Sequence, residues 1–169
     1  AGIIEGNWIN AKNLSVTNGN GVRTLIQRTC PDADAETLNE LYRRFKEYYD
    51  VHNIDETVPY EGICELLNDL KAAGINIAIA SNKYQEATEK IVHHFFPDIP
   101  FVSIQGQIEG RQVKPDPSIV FAILSEWPTP KSKVMYVGDS AVDIETARRA
   151  CVESIGVTWG FRAVSELRQ

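Results

Sequence analysis

The apolar positions of this chain fall into two textures. Residues 1–20 form an irregular N-terminal segment with little periodicity: Asn18-Gly19 and Asn20-Gly21 are turn dipeptides, and Ile3-Ile4 is at most a short strand. From Gly21 the spacing is helical, with Val22, Leu25 and Ile26 on one side and a break at Cys30-Pro31. Asp34 suits an N-cap, Glu36 and Thr37 fall in the first turn, and the helix it opens is predicted over Ala35–His52. Leu38, Leu41, Tyr42, Phe45 and Tyr49 mark its apolar stripe, which predicts packing. Residues 21–53 thus read as a small helical unit, and Ile54–Tyr60 as a linker with Pro59 as its breaker.

Over residues 59–169 helices alternate with apolar runs. A helix is predicted over Gly62–Ala73, with Leu66, Leu67 and Leu70 inward and Gly74 closing it. Ile75–Ala80 and Lys133–Val137 have almost no polar alternation, as suits parallel strands buried on both faces. Shorter strands are predicted at Phe101–Ile104 and Ser154–Val157. Helices are predicted over Tyr84–Phe96, from Pro117 at its first position to Trp127, over Ile144–Ala150, and as a helix-like stretch at Phe161–Arg168. Such alternation predicts an α/β domain with a parallel sheet.

Composition narrows the function classes. A chain of 169 residues can bury a real core. Its formal net charge of −6 suits neither nucleic acid nor an anionic membrane surface. An anionic ligand must therefore be met by a local cluster of donors or by a metal. No apolar run approaches a membrane span, and no secretory pattern is read. Cys30, Cys64 and Cys151 have no metal-ligand spacing and predict reduced, mostly packed thiols in a cytoplasmic protein. Trp127 and Trp159 are predicted as anchors beneath loops, and His93-His94 as surface or partly packed residues.

Ligands of open α/β sheets bind at the carboxyl ends of the strands. Ser81 and Asn82 follow the strand Ile75–Ala80, and Asp139 and Ser140 follow Lys133–Val137 after Gly138. Lys114, in Val113-Lys114-Pro115-Asp116-Pro117, lies in the loop between them. Asp143, four residues past Asp139, returns to the same side of a first helical turn. Singly, each has an ordinary explanation: a turn serine, a solvated lysine, an aspartate favourable at a helix N-terminus. Together, their order and spacing are distinctive.

Ser-Asn-Lys at 81–83, Val-Lys-Pro-Asp-Pro at 113–117 and Tyr-Val-Gly-Asp-Ser-x-x-Asp at 136–143 resemble three of the four signatures of the haloacid dehalogenase superfamily of phosphohydrolases. The likeness is to the phosphoglycolate-phosphatase-like branch, and it runs from Asn18 over nearly the whole chain. Gly19-Asn20-Gly21 resembles the start of that branch's helical cap, and Tyr60-Glu61-Gly62 its return to the core. The resemblance implies a parallel-sheet, Rossmann-like core at 59–169 with a small helical cap at 21–58. It implies a magnesium-dependent phosphatase that hydrolyses small phosphate monoesters through an aspartyl-phosphate. Ser81 and Lys114 would be catalytic, and Ser81, Asn82 and Lys114 would bind phosphate. Asp139 and Asp143 would ligate Mg²⁺. These residue types suit phosphoryl transfer, which is mostly positioning and charge neutralisation. Mg²⁺ typically takes one or two carboxylates plus phosphate and keeps several waters. The implied partner is a small phosphorylated metabolite, with no nucleic acid and no membrane.

One signature has no match. In the family an Asp-x-Asp pair, nucleophile and general acid/base, ends a central first strand ahead of the cap. The first aspartate here is Asp32, inside the helical unit, and the only earlier acid is Glu5. Neither role falls on a residue of this sequence. The strand expected between Ile75–Ala80 and Lys133–Val137 is therefore expected to be missing, which leaves two strands with unpaired, association-prone backbone. A chain starting at Ala1 is expected to be a fragment; the alternatives are Gly2–Glu5 in the slot, or a strand lent by a partner in an oligomer. Little or no turnover is expected of the chain as given. The competing function is a non-catalytic phosphate- or metal-binding module acting through partners; retention of Ser81, Lys114, Asp139 and Asp143 weighs against it. A phospho-acceptor signalling domain would place its aspartate ahead of the serine and lysine, whereas Asp139 follows both.

Overall fold

The computed structural model describes residues 22–160 and 163–168, and the chain divides into two compact units, Ala1–Val58 and Pro59–Gln169. Asn18–Gly21, Ile3-Ile4 and Glu5 lie outside the described residues. In the first unit, α1 (Val22–Thr29) packs against α2 (Ala35–His52). The start of α2 is set by Asp34, whose Oδ1 accepts the Thr37 N–H at 2.8 Å. That bond holds the Asp34 carboxyl below the usual carboxylate range. The α2 stripe is half-buried: Phe45 and Tyr49 stack at 5.3 Å, and the Arg23 guanidinium lies 4.5 Å from the Tyr42 ring centre.

The second unit contains, in order, α3 (Ile63–Ala72), β1 (Ile77–Tyr84), α4 (Gln85–Phe95), β2 (Phe101–Gln107), α5 (Ser118–Glu126), β3 (Met135–Gly138), α6 (Ala141–Ala150) and β4 (Glu153–Gly156). Single 3₁₀ turns occupy Lys131–Lys133 and Val164–Arg168. α3 ends in a Schellman motif: the Ile75 N–H donates to Leu70 O and the Gly74 N–H to Lys71 O, with Gly74 at φ +69°. All pairing is parallel, β1 with β2 and β3 with β4. β1 and β3 do not pair with each other, so among the described residues the strands form two two-stranded sheets. The core joins them: Ile119 and Val120 of α5 and Ala150 of α6 are buried, and Ala80 of β1, Tyr136 of β3, Leu124 and Val152 pack on them.

The structure corrects several expectations. β1 runs past Ala80 to Tyr84, so Ser81 and Asn82 lie within its irregular end and not after it. The Lys133–Val137 segment opens as a 3₁₀ turn and becomes strand only from Met135. It is not buried on both faces, because Met135 and Val137 are 49% and 58% exposed. A run without alternation shows that a strand can be covered twice, and the cover itself depends on other segments. α6 begins three residues early, at Ala141, because Ser140 Oγ caps it by accepting the Asp143 N–H. Pro117 is the N-cap of α5, and Ser118 is its first residue. Phe161 and Arg162 lie outside the described residues, and Val164–Arg168 is a 3₁₀ turn and no α-helix. Trp127 and Trp159 are 45% and 54% exposed, so neither is buried beneath a loop. Cys64 and Cys151 are exposed too, and only Cys30 is half-buried, so the thiols are not mostly packed. None of the described helices is long and apolar enough to cross a membrane.

Candidate functional site

The site starts from a bulge. Ala80 pairs with Gln105 and Tyr84 with Gln107, which leaves Ser81, Asn82 and Lys83 opposite Gly106 alone. Gly106 makes this close approach feasible, since a Cβ there would stand 2.6 Å from Gln85 Cα. Within the bulge, Ser81 Oγ accepts the Lys83 N–H at 3.1 Å. Asn82 is buried and reaches the loop ahead of α5. Its Oδ1 accepts the Lys114 N–H at 2.8 Å, and its Nδ2 donates to Lys114 O at 3.3 Å. The loop is closed by the Asp116 N–H donating to Val113 O, and Asp116 Oδ1 accepts the Ser118 N–H where α5 begins. The Lys114–Pro115 peptide is cis.

The Lys114 side chain crosses from one sheet to the other. Its Nζ donates to Ala80 O of β1 at 3.1 Å, to Tyr136 Oη of β3 at 3.2 Å and to Asp143 Oδ1 of α6 at 2.7 Å. Asp143 is buried. Its Oδ1 also accepts from Tyr136 Oη at 3.3 Å, and its Oδ2 accepts from Ser140 Oγ at 2.6 Å. Gly138 clears the space it needs, because a Cβ at Gly138 would overlap the Asp143 side chain. Burial works against both charges, and the pairing outweighs it. Burial pulls the Lys114 pKa down, but Tyr136 and Asp143 hold it above the ordinary lysine value. Burial pushes Asp143 up, but Lys114, Ser140 and Tyr136 hold it below the ordinary carboxylate value. Burial raises the Tyr136 phenol, and the net shift is upward.

Asp139 follows β3 directly and is packed against Gly160, where any Cβ would overlap its carboxylate. The Tyr60 phenol is pushed up by burial and by the Asp139 charge. The structure therefore bonds Asn82, Lys114 and Asp143 into one cluster with Ala80, Tyr136 and Ser140. Ser81 is at the same strand end, with its hydroxyl turned to Lys83. The sequence pattern places Ser140 at the strand end with no role, and points to neither Tyr136 nor Gly160 by itself. The signal for Tyr136 was a phenol in an otherwise apolar strand, which needs a buried hydrogen-bond partner.

Asp139 and Asp143 present hard oxygens of the kind Mg²⁺ takes. Among the described residues no group of three His, Cys, Asp or Glu side chains gathers into a metal set. Two carboxylates, with phosphate and water completing the shell, match the habit of this ion. The donor chemistry fits Mg²⁺, with Asp143 sharing a carboxylate whose two oxygens already bond Lys114 and Ser140.

Comparison with known proteins adds kinship. The family model described as haloacid dehalogenase-like hydrolase matches residues 6–157. The chain is similar to phosphoglycolate phosphatase of Agrobacterium fabrum, 32% identical over 153 residues, covering 86% of this chain and 64% of that one. It is likewise similar to phosphoglycolate phosphatase of Aquifex aeolicus, 30% identical over 149 residues, with 88% and 68% covered. The chain thus spans about two thirds of the length of these relatives. A crystal structure of a predicted phosphoglycolate phosphatase from Haemophilus somnus superposes with a TM-score of 0.82 at 26% identity, over 92% of this chain and 73% of that one. A protein from Bacteroides fragilis described as haloacid dehalogenase-like superposes with a TM-score of 0.87 at 27% identity, over 95% and 76%. With its α/β architecture and parallel strands, the chain belongs to the haloacid dehalogenase-like hydrolase family, among relatives of the phosphoglycolate phosphatase kind.

Proposed function

We propose that this chain carries the phosphate- and metal-holding part of a phosphatase for small phosphate monoesters of the phosphoglycolate type. The observation that carries the reading is Lys114. A buried ammonium bridges the Ala80 carbonyl of β1, the Tyr136 hydroxyl of β3 and the Asp143 carboxylate of α6, and a second carboxylate, Asp139, lies on the loop that follows β3. Lys114 supplies a point charge to a phosphoryl oxygen, and the Ser81 hydroxyl, whose oxygen accepts the Lys83 N–H, donates its own hydrogen to another. Asp143 keeps the lysine charged and aimed, and Tyr136 limits its swing. Asp139 and Asp143 would hold Mg²⁺, which offsets phosphoryl charge when bound. In this reading residues 21–58 are the cap.

The implied aspartyl-phosphate needs a carboxylate nucleophile, and no residue of this sequence matches one. Binding and turnover are therefore expected to separate in this chain. Isothermal titration of inorganic phosphate with Mg²⁺ present is expected to show binding by the chain and about tenfold weaker binding by Lys114→Ala, the loss of one charge-assisted contact. Hydrolysis of phosphoglycolate by the same sample is expected to stay near background. Equal phosphate affinity in the variant would make Lys114 a structural cation only. Robust metal-dependent turnover would place a nucleophile among residues not recognised as one. A non-catalytic module acting through partners gains no support from the comparisons, whose matches include named phosphatases.

A further inference from the structure

The bulge in β1 breaks the ladder with β2, and two carboxamides take over main-chain bonding around it. Gln85 serves β2: its Nε2 donates to Ile104 O at 2.8 Å and its Oε1 accepts the Gly106 N–H at 2.6 Å. Asn82 serves the Lys114 loop: its Oδ1 accepts the Lys114 N–H and its Nδ2 donates to Lys114 O, across 32 positions of sequence. Each side-chain amide makes the pair of bonds that a neighbouring strand's peptide would make. Asn82 is only 7% exposed, so the peptide groups it satisfies have poor access to water as a substitute. The orientation of its amide is fixed by the partner, because the Lys114 N–H must meet the oxygen.

We propose that Asn82 is a positioning residue for Lys114. Its carboxamide fixes the lysine's own peptide groups, and the ammonium then falls between Ala80 of β1 and Tyr136 of β3. This differs from the role that resemblance implies, in which Asn82 meets the phosphate, and it rests on the reading of Lys114 as the phosphate-binding cation. The chain of positioning is short: Gly106 admits the bulge, the bulge presents Asn82, and Asn82 holds Lys114.

A double-mutant cycle on the full chain tests it, with inorganic phosphate in Mg²⁺ as the probe and calorimetry as the readout. Asn82→Ala is expected to weaken phosphate binding about five- to tenfold, the worth of a buried hydrogen-bonded clamp. In a Lys114→Ala background the same change is expected to add nothing. An additive loss in the double variant would show that Asn82 meets phosphate directly, and the proposal would fall while the phosphate site stands. If Lys114→Ala alone left binding unchanged, the reading of the site would fall instead. Should Lys114→Ala not fold, or the chain bind no phosphate, amide hydrogen exchange at Lys114 decides the matter alone. The Lys114 N–H is expected to exchange slowly in the wild type, about tenfold or more faster in Asn82→Ala, and slowly again in Asn82→Asp, which keeps the acceptor. Equal exchange in wild type and Asn82→Ala, or no recovery in Asn82→Asp, would overturn the proposal.

Discussion

At the scale of single residues, the site depends on one buried ion pair. Lys114 and Asp143 meet at 2.7 Å with side chains only 11% and 10% exposed. Such a pair is costly to break from one side, because the remaining charge stays buried. Its pH dependence follows from the two shifts. Asp143 has a folded pKa below its unfolded value of about 3.9, so its contribution is present above that pH and is lost as pH falls through the folded value. Lys114 has a folded pKa above its unfolded value of about 10.4, so its contribution persists below that pH and is lost only as pH rises through the higher folded value. Urea denaturation should therefore find the wild type more stable than Asp143→Asn on a plateau between about pH 4 and pH 10, with the gap closing at lower pH. A gap that stayed constant down to pH 2 would mean that the carboxylate is not paired in the folded state.

At the scale of elements, the core beneath the site is small and shared. Ile119 and Val120 of α5 form, with Ala150 of α6, one buried cluster against which both Ala80 of β1 and Tyr136 of β3 pack. Truncating Ile119 to Ala should cost about 2–5 kcal/mol in urea denaturation, as for other buried aliphatic truncations. A loss below 1 kcal/mol would show a site that collapses freely. This scale also shows what the sequence made legible. The span of α2 was readable at both ends, because Asp34 and an unbroken apolar stripe are local signals. So was the order of strands and helices from α3 to β4, because hydrophobic periodicity is local too. The bulge in β1 was not readable, since it arises from contacts of Gln85 and Gly106 that lie about twenty residues apart in sequence. Nor was the exposed side of β3, since an apolar strand does not say what covers it. Tyr136 belongs to the motif at 136–143, yet its part in the site emerges only when Lys114 folds back across β3.

At the scale of the whole molecule, two units divide at Val58 and Pro59, and every residue of the candidate site belongs to the second. Family membership rests on the chain as a whole, and the geometry shows how Asn82, Lys114 and Asp143 are held in one cluster. The chain covers 64% and 68% of the length of two phosphoglycolate phosphatases. In the proposed function the loop and helix after β3 would hold Mg²⁺ beside a phosphate. The measurement that tests it most directly is calorimetric titration of Mg²⁺ into the wild-type chain and into Asp139→Asn, each with and without inorganic phosphate. The account predicts that the wild type binds Mg²⁺ more tightly when phosphate is present, and that Asp139→Asn weakens Mg²⁺ binding sharply while the protein stays folded. Unchanged Mg²⁺ affinity in Asp139→Asn would contradict it.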